Sequence, residues 1–171
     1  MVRFVTEIAK KFFEWANNNG WNVEPAEEKR ELPKTLTERY AFIPEDWVGF
    51  VQSFIICING AYTLNFQLIE DFEEDLEDKA DDKAFRWNEF ELISLEAAKG
   101  DEEWTANIKA FWDNYLPIVM SVGGDYHYYA IGIRTGDIFD GWAPEFEEPE
   151  IVAPNFTDFI EKIISGKIEL I

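Results

Sequence analysis

The chain has 171 residues, 47% of them hydrophobic and 16% aromatic. That is enough apolar material to bury roughly 70% of the unfolded surface, so one compact domain is expected over residues 1–171. With 35 Asp and Glu against 15 Lys and Arg the formal charge is −20, which excludes the basic footprint that a phosphate backbone requires and makes nucleic acid an unsuitable direct partner.

Spacings of three and four among Phe4, Val5, Ile8, Phe12, Phe13, Trp15 and Ala16 predict an amphipathic helix over Arg3 to Asn19, stopped by a left-handed cap at Gly20. Glu7, Lys10, Lys11 and Glu14 interrupt this segment, so it is not a signal peptide, and no apolar run elsewhere is long enough to span a bilayer. The expected compartment is the cytoplasm. Residues 22–42 are polar and read as an irregular connection with one helical turn near Thr37 to Tyr40. Ile43-Pro44-Glu45-Asp46 then places proline and acids for a first helical turn, and the apolar run through Trp47, Phe50, Phe54 and Ile58 predicts a buried central helix ended by Asn59-Gly60. Cys57 lies within that run. As the only cysteine it excludes an internal disulfide and a multi-cysteine zinc site.

Tyr62 to Ile69 reads as a strand. Between Glu70 and Asp82 there are nine acids and one lysine, a composition for a mobile loop or a solvated helix. Phe90 to Leu95 is a candidate strand, and Trp104, Ile108, Phe111, Trp112 and Tyr115 fit a helix with Asp101 as N-cap. Leu116 to Val122 is a short apolar strand, followed by a Gly123-Gly124-Asp125 turn in which glycine supplies positive φ. In Tyr126 to Ile133 alternate side chains take opposite faces: Tyr128, Ala130 and Gly132 on one, His127, Tyr129, Ile131 and Ile133 on the other. Ile138 to Trp142 pairs back across Thr135-Gly136-Asp137 as a hairpin. Finally Phe156, Phe159, Ile160, Ile163 and Ile164 stripe a helix capped by Asn155 and stopped by Gly166. The order of elements predicts an α+β fold with a largely antiparallel sheet.

No catalytic motif is readable. His127, the only histidine, lies near Ser121 and Asp125, but no glycine-flanked serine elbow accompanies them, and a structural or surface role is favoured. Paired carboxylates are uninformative in a chain with 35 acids. Asp71 to Asp82 fails the calcium-loop pattern, with Leu76 where the turn needs glycine and Asp82 in place of glutamate. No cofactor or metal is expected. Two segments remain as binding candidates. One is the acidic surface of Glu70, Asp71, Glu73, Glu74, Asp75, Glu77, Asp78, Asp81 and Asp82. The other is Gly141 to Glu150, where Trp142, Glu145, Phe146, Glu147 and Glu148 combine aromatic anchors with charge, a pattern that equally fits packing of Trp142 and Phe146 on the last helix. Asp125, Tyr126 and Tyr128 complete the candidate contact set, and a groove lined by Tyr126, Tyr128 and Trp142 is the alternative ligand site.

Several anchors follow one another in a specific order. Ile43-Pro44 opens a helix that ends at Asn59-Gly60, and Leu116-Pro117-Ile118 leads through Gly123-Gly124-Asp125 to an aromatic strand. Gly136-Asp137-Ile138-Phe139 and Val152-Ala153-Pro154-Asn155-Phe156-Thr157-Asp158-Phe159-Ile160 follow. In this order the chain resembles the SMI1/KNR4 family, or SUKH superfamily, over about its last three quarters. The resemblance implies a single α+β domain with a mixed, mainly antiparallel sheet flanked by helices. It also implies an intracellular immunity protein, not an enzyme, that neutralises a cognate bacterial toxin, often a nuclease, by stoichiometric occlusion. With the acidity of this chain, that toxin is expected to be basic. Gly132 stands where many relatives carry an acid, and residues 70–104 match nothing in the family pattern. A peptide- or small-ligand-binding regulatory module is the alternative reading.

Overall fold

A computed structural model describes residues 5–76 and 86–170. Helix α1, Glu7–Asn18, begins at Thr6, whose side chain accepts from the Ala9 backbone N–H, and it buries Ile8, Ala9, Phe12 and Ala16. Strand β1, Asn22–Pro25, and helix α2, Lys34–Arg39, lie in the stretch expected to be irregular. The expected central helix is two elements. Helix α3, Glu45–Val51, stops at a turn in which Ser53 Oγ donates to the Gly49 carbonyl at 2.7 Å, and Phe54–Ile58 is strand β2. An uninterrupted apolar run is equally compatible with a buried strand, and the β-branched Ile55, Ile56 and Ile58 favour the pleat. Asn59 therefore closes a hairpin, its side-chain oxygen accepting from the N–H groups of Thr63 and Leu64.

Strand β3 is only Leu64–Phe66, because Ile69 already opens helix α4, Ile69–Leu76. The predicted strand at Phe90 to Leu95 is helix α5, Glu89–Ala97. Glu89 and Glu91 sit in its first turn, and Phe90, Ser94 and Ala98, one helical turn apart, are all buried. Helix α6, Glu102–Trp112, is capped by Asp101 as expected. Strands β4, Tyr115–Ser121; β5, His127–Gly132; β6, Ile138–Trp142; and β7, Glu150–Ala153, lead to helix α7, Phe156–Ile164, with Asn155 as its cap.

The seven strands pair in chain order, β1 to β7, and every described pairing is antiparallel, so the sheet is a meander and not the mixed sheet that the resemblance implied. Gly123 serves close packing and not positive φ: a Cβ there would collide with Thr63, whereas Gly136 in the next turn does sit at φ +81°. At the β7 edge Lys162 donates to the Val152 carbonyl at 2.9 Å, satisfying a group that an open edge leaves free.

Both faces of the sheet are covered. Leu116, Val119, Tyr129 and Ile131 pack with α1, α3 and α7 in the larger cluster, around Phe12, Phe50, Phe66, Phe156 and Phe159. Met120, Tyr128 and Ala130 pack on the other face with Phe90 of α5, Ile108 and Trp112 of α6, and Phe146. The alternation expected along β5 is thus present, with a hydrophobic layer on each side. Arg39 ties α2 to this second layer, donating to both oxygens of buried Glu91 at 2.9 and 2.8 Å and to Asp113 at 3.0 Å.

Candidate interaction site

The loop between β6 and β7 is held by its middle and open at its flanks. Phe146 is buried and stacks on Phe90 with ring centroids 4.6 Å apart and planes 10° from parallel. The Tyr128 hydroxyl donates to the Phe146 carbonyl, and Trp112 Nε1 donates to Glu147 at 3.2 Å. Burial pushes the Tyr128 phenol well up, and the nearby Glu147 carboxylate adds to this. Gly141 belongs to the same arrangement, because a Cβ there would strike the Tyr128 ring.

With Phe146 and Glu147 turned inward, Glu145 and Glu148 are left exposed, and with Asp140, Trp142 and Glu150 they line a cleft of about 350 Å³. Trp142 keeps 42% of its surface exposed. Its ring lies flat on His127, with centroids 3.7 Å apart and planes at 11°, as expected for residues directly opposite on β5 and β6. His127 Nε2 is 3.4 Å from Asp140 Oδ2, and its buried Nδ1 has no hydrogen-bond partner. Asp140 faces Glu150 across the β6–β7 pair. Among the described residues, no lysine or arginine forms an ion pair with Asp140, Glu145, Glu148 or Glu150. The carboxylates do not converge: among the described residues no group of three or more His, Cys, Asp and Glu could hold a metal ion.

The sequence-predicted contact set divides accordingly. Trp142, Glu145 and Glu148 come together at the cleft. Tyr128 and Phe146 are buried on the other face of the sheet, beneath the surface that they were expected to form, and half-buried Glu147 is engaged by Trp112. Tyr126 is half-buried, stacked on Phe90 at 5.7 Å, and Asp125 is exposed in its turn. The expected groove of Tyr126, Tyr128 and Trp142 does not form, because Tyr128 and Trp142 project from opposite faces. Asp140 and His127 were not expected there, whereas Glu150 ends the expected segment Gly141 to Glu150. Period-two alternation from Trp142 back to Asp140 is the signal that carries the first of them.

His127 and Asp125 do not form a pair with Ser121. The carboxylate near the imidazole is Asp140, and Ser121 sits opposite His127 on β4, with no side-chain hydrogen bond joining the two. In the acidic segment Glu70 pairs with Arg30, Asp71 accepts from the Leu68 N–H at 2.8 Å, and Glu73 is exposed. Glu74 and Asp75 continue α4, while Glu77, Asp78, Asp81 and Asp82 lie outside the described residues. Among the described residues no helix is long and apolar enough to cross a membrane. No protein-family model matches the chain, and no curated protein or solved structure is significantly similar to it.

Proposed function

We propose that this chain is a binding protein that receives a basic protein partner at the Trp142 cleft and acts by occluding it. The observation that carries the reading is an exposed tryptophan stacked on His127 and ringed by four carboxylates without a lysine or arginine partner among the described residues. A large aromatic surface supplies buried contact area, and unpaired charge supplies selection and a long-range attraction. The chain's net charge of −20 extends that attraction and speeds encounter with a cationic surface. The resemblance to SMI1/KNR4 immunity proteins gives the partner's class: an intracellular toxin domain, possibly a nuclease, neutralised one to one.

Co-expression with the neighbouring toxin gene tests this reading. The expected result is a stoichiometric complex and protection from killing, with Trp142→Ala and a Glu145→Gln/Glu148→Gln double variant each weakening capture. Capture at native strength by both variants, or a complex that forms without protection, overturns it. Association is expected to slow as salt is raised, since exposed charges are screened beyond about 8 Å at physiological ionic strength.

A further inference from the structure

Resting on that reading, we infer that occupancy of the Trp142 cleft by a cationic side chain is coupled to the protonation of His127, so that a proton and an incoming guanidinium or ammonium group compete for Asp140. The geometry is that of a shared carboxylate. Asp140 lines the cleft on one side and stands 3.4 Å from His127 Nε2 on the other. That separation is at the outer limit of a hydrogen bond, so the carboxylate is not committed to the ring. The imidazole itself is 2% exposed and roofed by Trp142, the aromatic surface that a guanidinium would stack on.

Among the described residues, Asp140 is the carboxylate that pairs with His127. On its own strand Tyr129 meets it edge-on at 4.7 Å, and across the sheet stand Ser121 of β4 and Trp142 of β6, none of them charged. Glu150 of β7 faces Asp140, and Glu145 and Glu148 share the cleft. Apart from His127 itself, no basic side chain among the described residues pairs with any of these carboxylates. When His127 takes a proton, the imidazolium neutralises Asp140 from beneath and repels a cation above. When a cation occupies the cleft, it disfavours that proton by the same free energy, because linkage between two binding events is reciprocal. Among the side chains at the cleft, histidine belongs to the class used for charge changes near neutral pH. The consequence is a contact that loosens on mild acidification, beyond what occlusion alone requires.

The chain's single histidine makes the test direct. The probe is a tetra-arginine peptide at fixed ionic strength, followed by titration calorimetry and by the ring resonance of His127. Expected are an affinity lower by on the order of tenfold at pH 5.5 than at pH 7.5, within the usual span of coupling between sites, and a His127 ring transition displaced to lower pH by saturating probe. His127→Gln is expected to bind with little pH dependence, and Asp140→Asn to bind more weakly with a flattened pH profile. A native affinity constant across this range, a ring transition unmoved by bound probe, or a pH slope retained in either variant overturns the coupling. The toxin-capture experiment at pH 7.5 is independent of that outcome: capture with no pH dependence sinks the coupling and spares the docking reading. Failure of tetra-arginine to bind sinks the coupling whether or not a toxin is captured.

Discussion

The two faces of the sheet are packed by different means. On the larger face Phe50 meets Phe12, Phe54, Phe66 and Phe156 at centroid distances of 5.1 or 5.2 Å, and no polar handle joins these rings. On the smaller face the aromatic groups carry directional bonds: Tyr128 to the Phe146 carbonyl and Trp112 to Glu147, with Arg39 gripping Glu91 and Asp113 beside them. Dispersion and burial are strong in sum but tolerate sliding and repacking, whereas a hydrogen bond fixes where a group sits. The difference teaches a division of labour. One face supplies stability, and the other fixes the position of the loop whose flanks form the candidate site.

Truncation of one ring on each face separates the two roles. Phe50→Ala leaves a cavity among four aromatic neighbours and is expected to cost about 3–5 kcal/mol, read as a lowered urea midpoint for the whole chain. Phe146→Ala belongs to the same chemical class, but its ring anchors a loop. Its expected signature is faster amide exchange at 143–149 together with weakened tetra-arginine binding, while Phe50→Ala leaves binding intact in whatever fraction remains folded. Equal loss of binding in both variants would erase the distinction between the faces.

A smaller effect tests the directional bonds themselves. Tyr128→Phe removes a buried donor and strands the Phe146 carbonyl, at an expected cost of about 1–3 kcal/mol. Alkali probes the same group from another side. Burial raises the phenols of Tyr40, Tyr128 and Tyr129 above their ordinary value. Above pH ~10 the unfolded chain therefore loses protons that the fold retains. Stability complete below that pH falls as pH rises, by about 1.4 kcal/mol per unit for each such phenol. Urea titrations between pH 8 and 11 should show a shallower alkaline decline for Tyr128→Phe, by one phenol's share. An unchanged decline would mean that Tyr128 ionises freely.

These comparisons also show where the sequence was legible. Amphipathic α1 and α7, the cap at Asn155, and the two-faced alternation of β5 follow from local pattern, although α1 starts after its cap at Thr6 and not at Arg3. The split between α3 and β2 does not, because Trp47 to Ile58 is apolar nearly throughout and carries no period to choose between helix and strand. Helix α5 was hidden for a related reason: its buried Glu91 is explained only by Arg39, which is 52 residues away in the chain. At the candidate site, alternation assigns Tyr128 and Trp142 to opposite faces, but it cannot say that both faces are covered. Tyr128 and Phe146 were therefore expected at the surface, and Asp140, two residues from Trp142, was not expected at the cleft.

The smallest expected change in stability belongs to the residue expected to matter most for binding. Trp142 is 42% exposed, and its one ring contact among the described residues is the stack on His127, so Trp142→Ala should shift stability by less than about 1 kcal/mol. If its ring is the centre of a contact, the same substitution should cost at least about 2 kcal/mol of binding, roughly thirtyfold in affinity. A core residue shows the opposite ratio, as Phe50→Ala would. Measuring both quantities on one variant therefore asks whether Trp142 is exposed for a purpose. A stability loss that equals or exceeds the binding loss would place it with the packing of the sheet and return the cleft to ordinary surface.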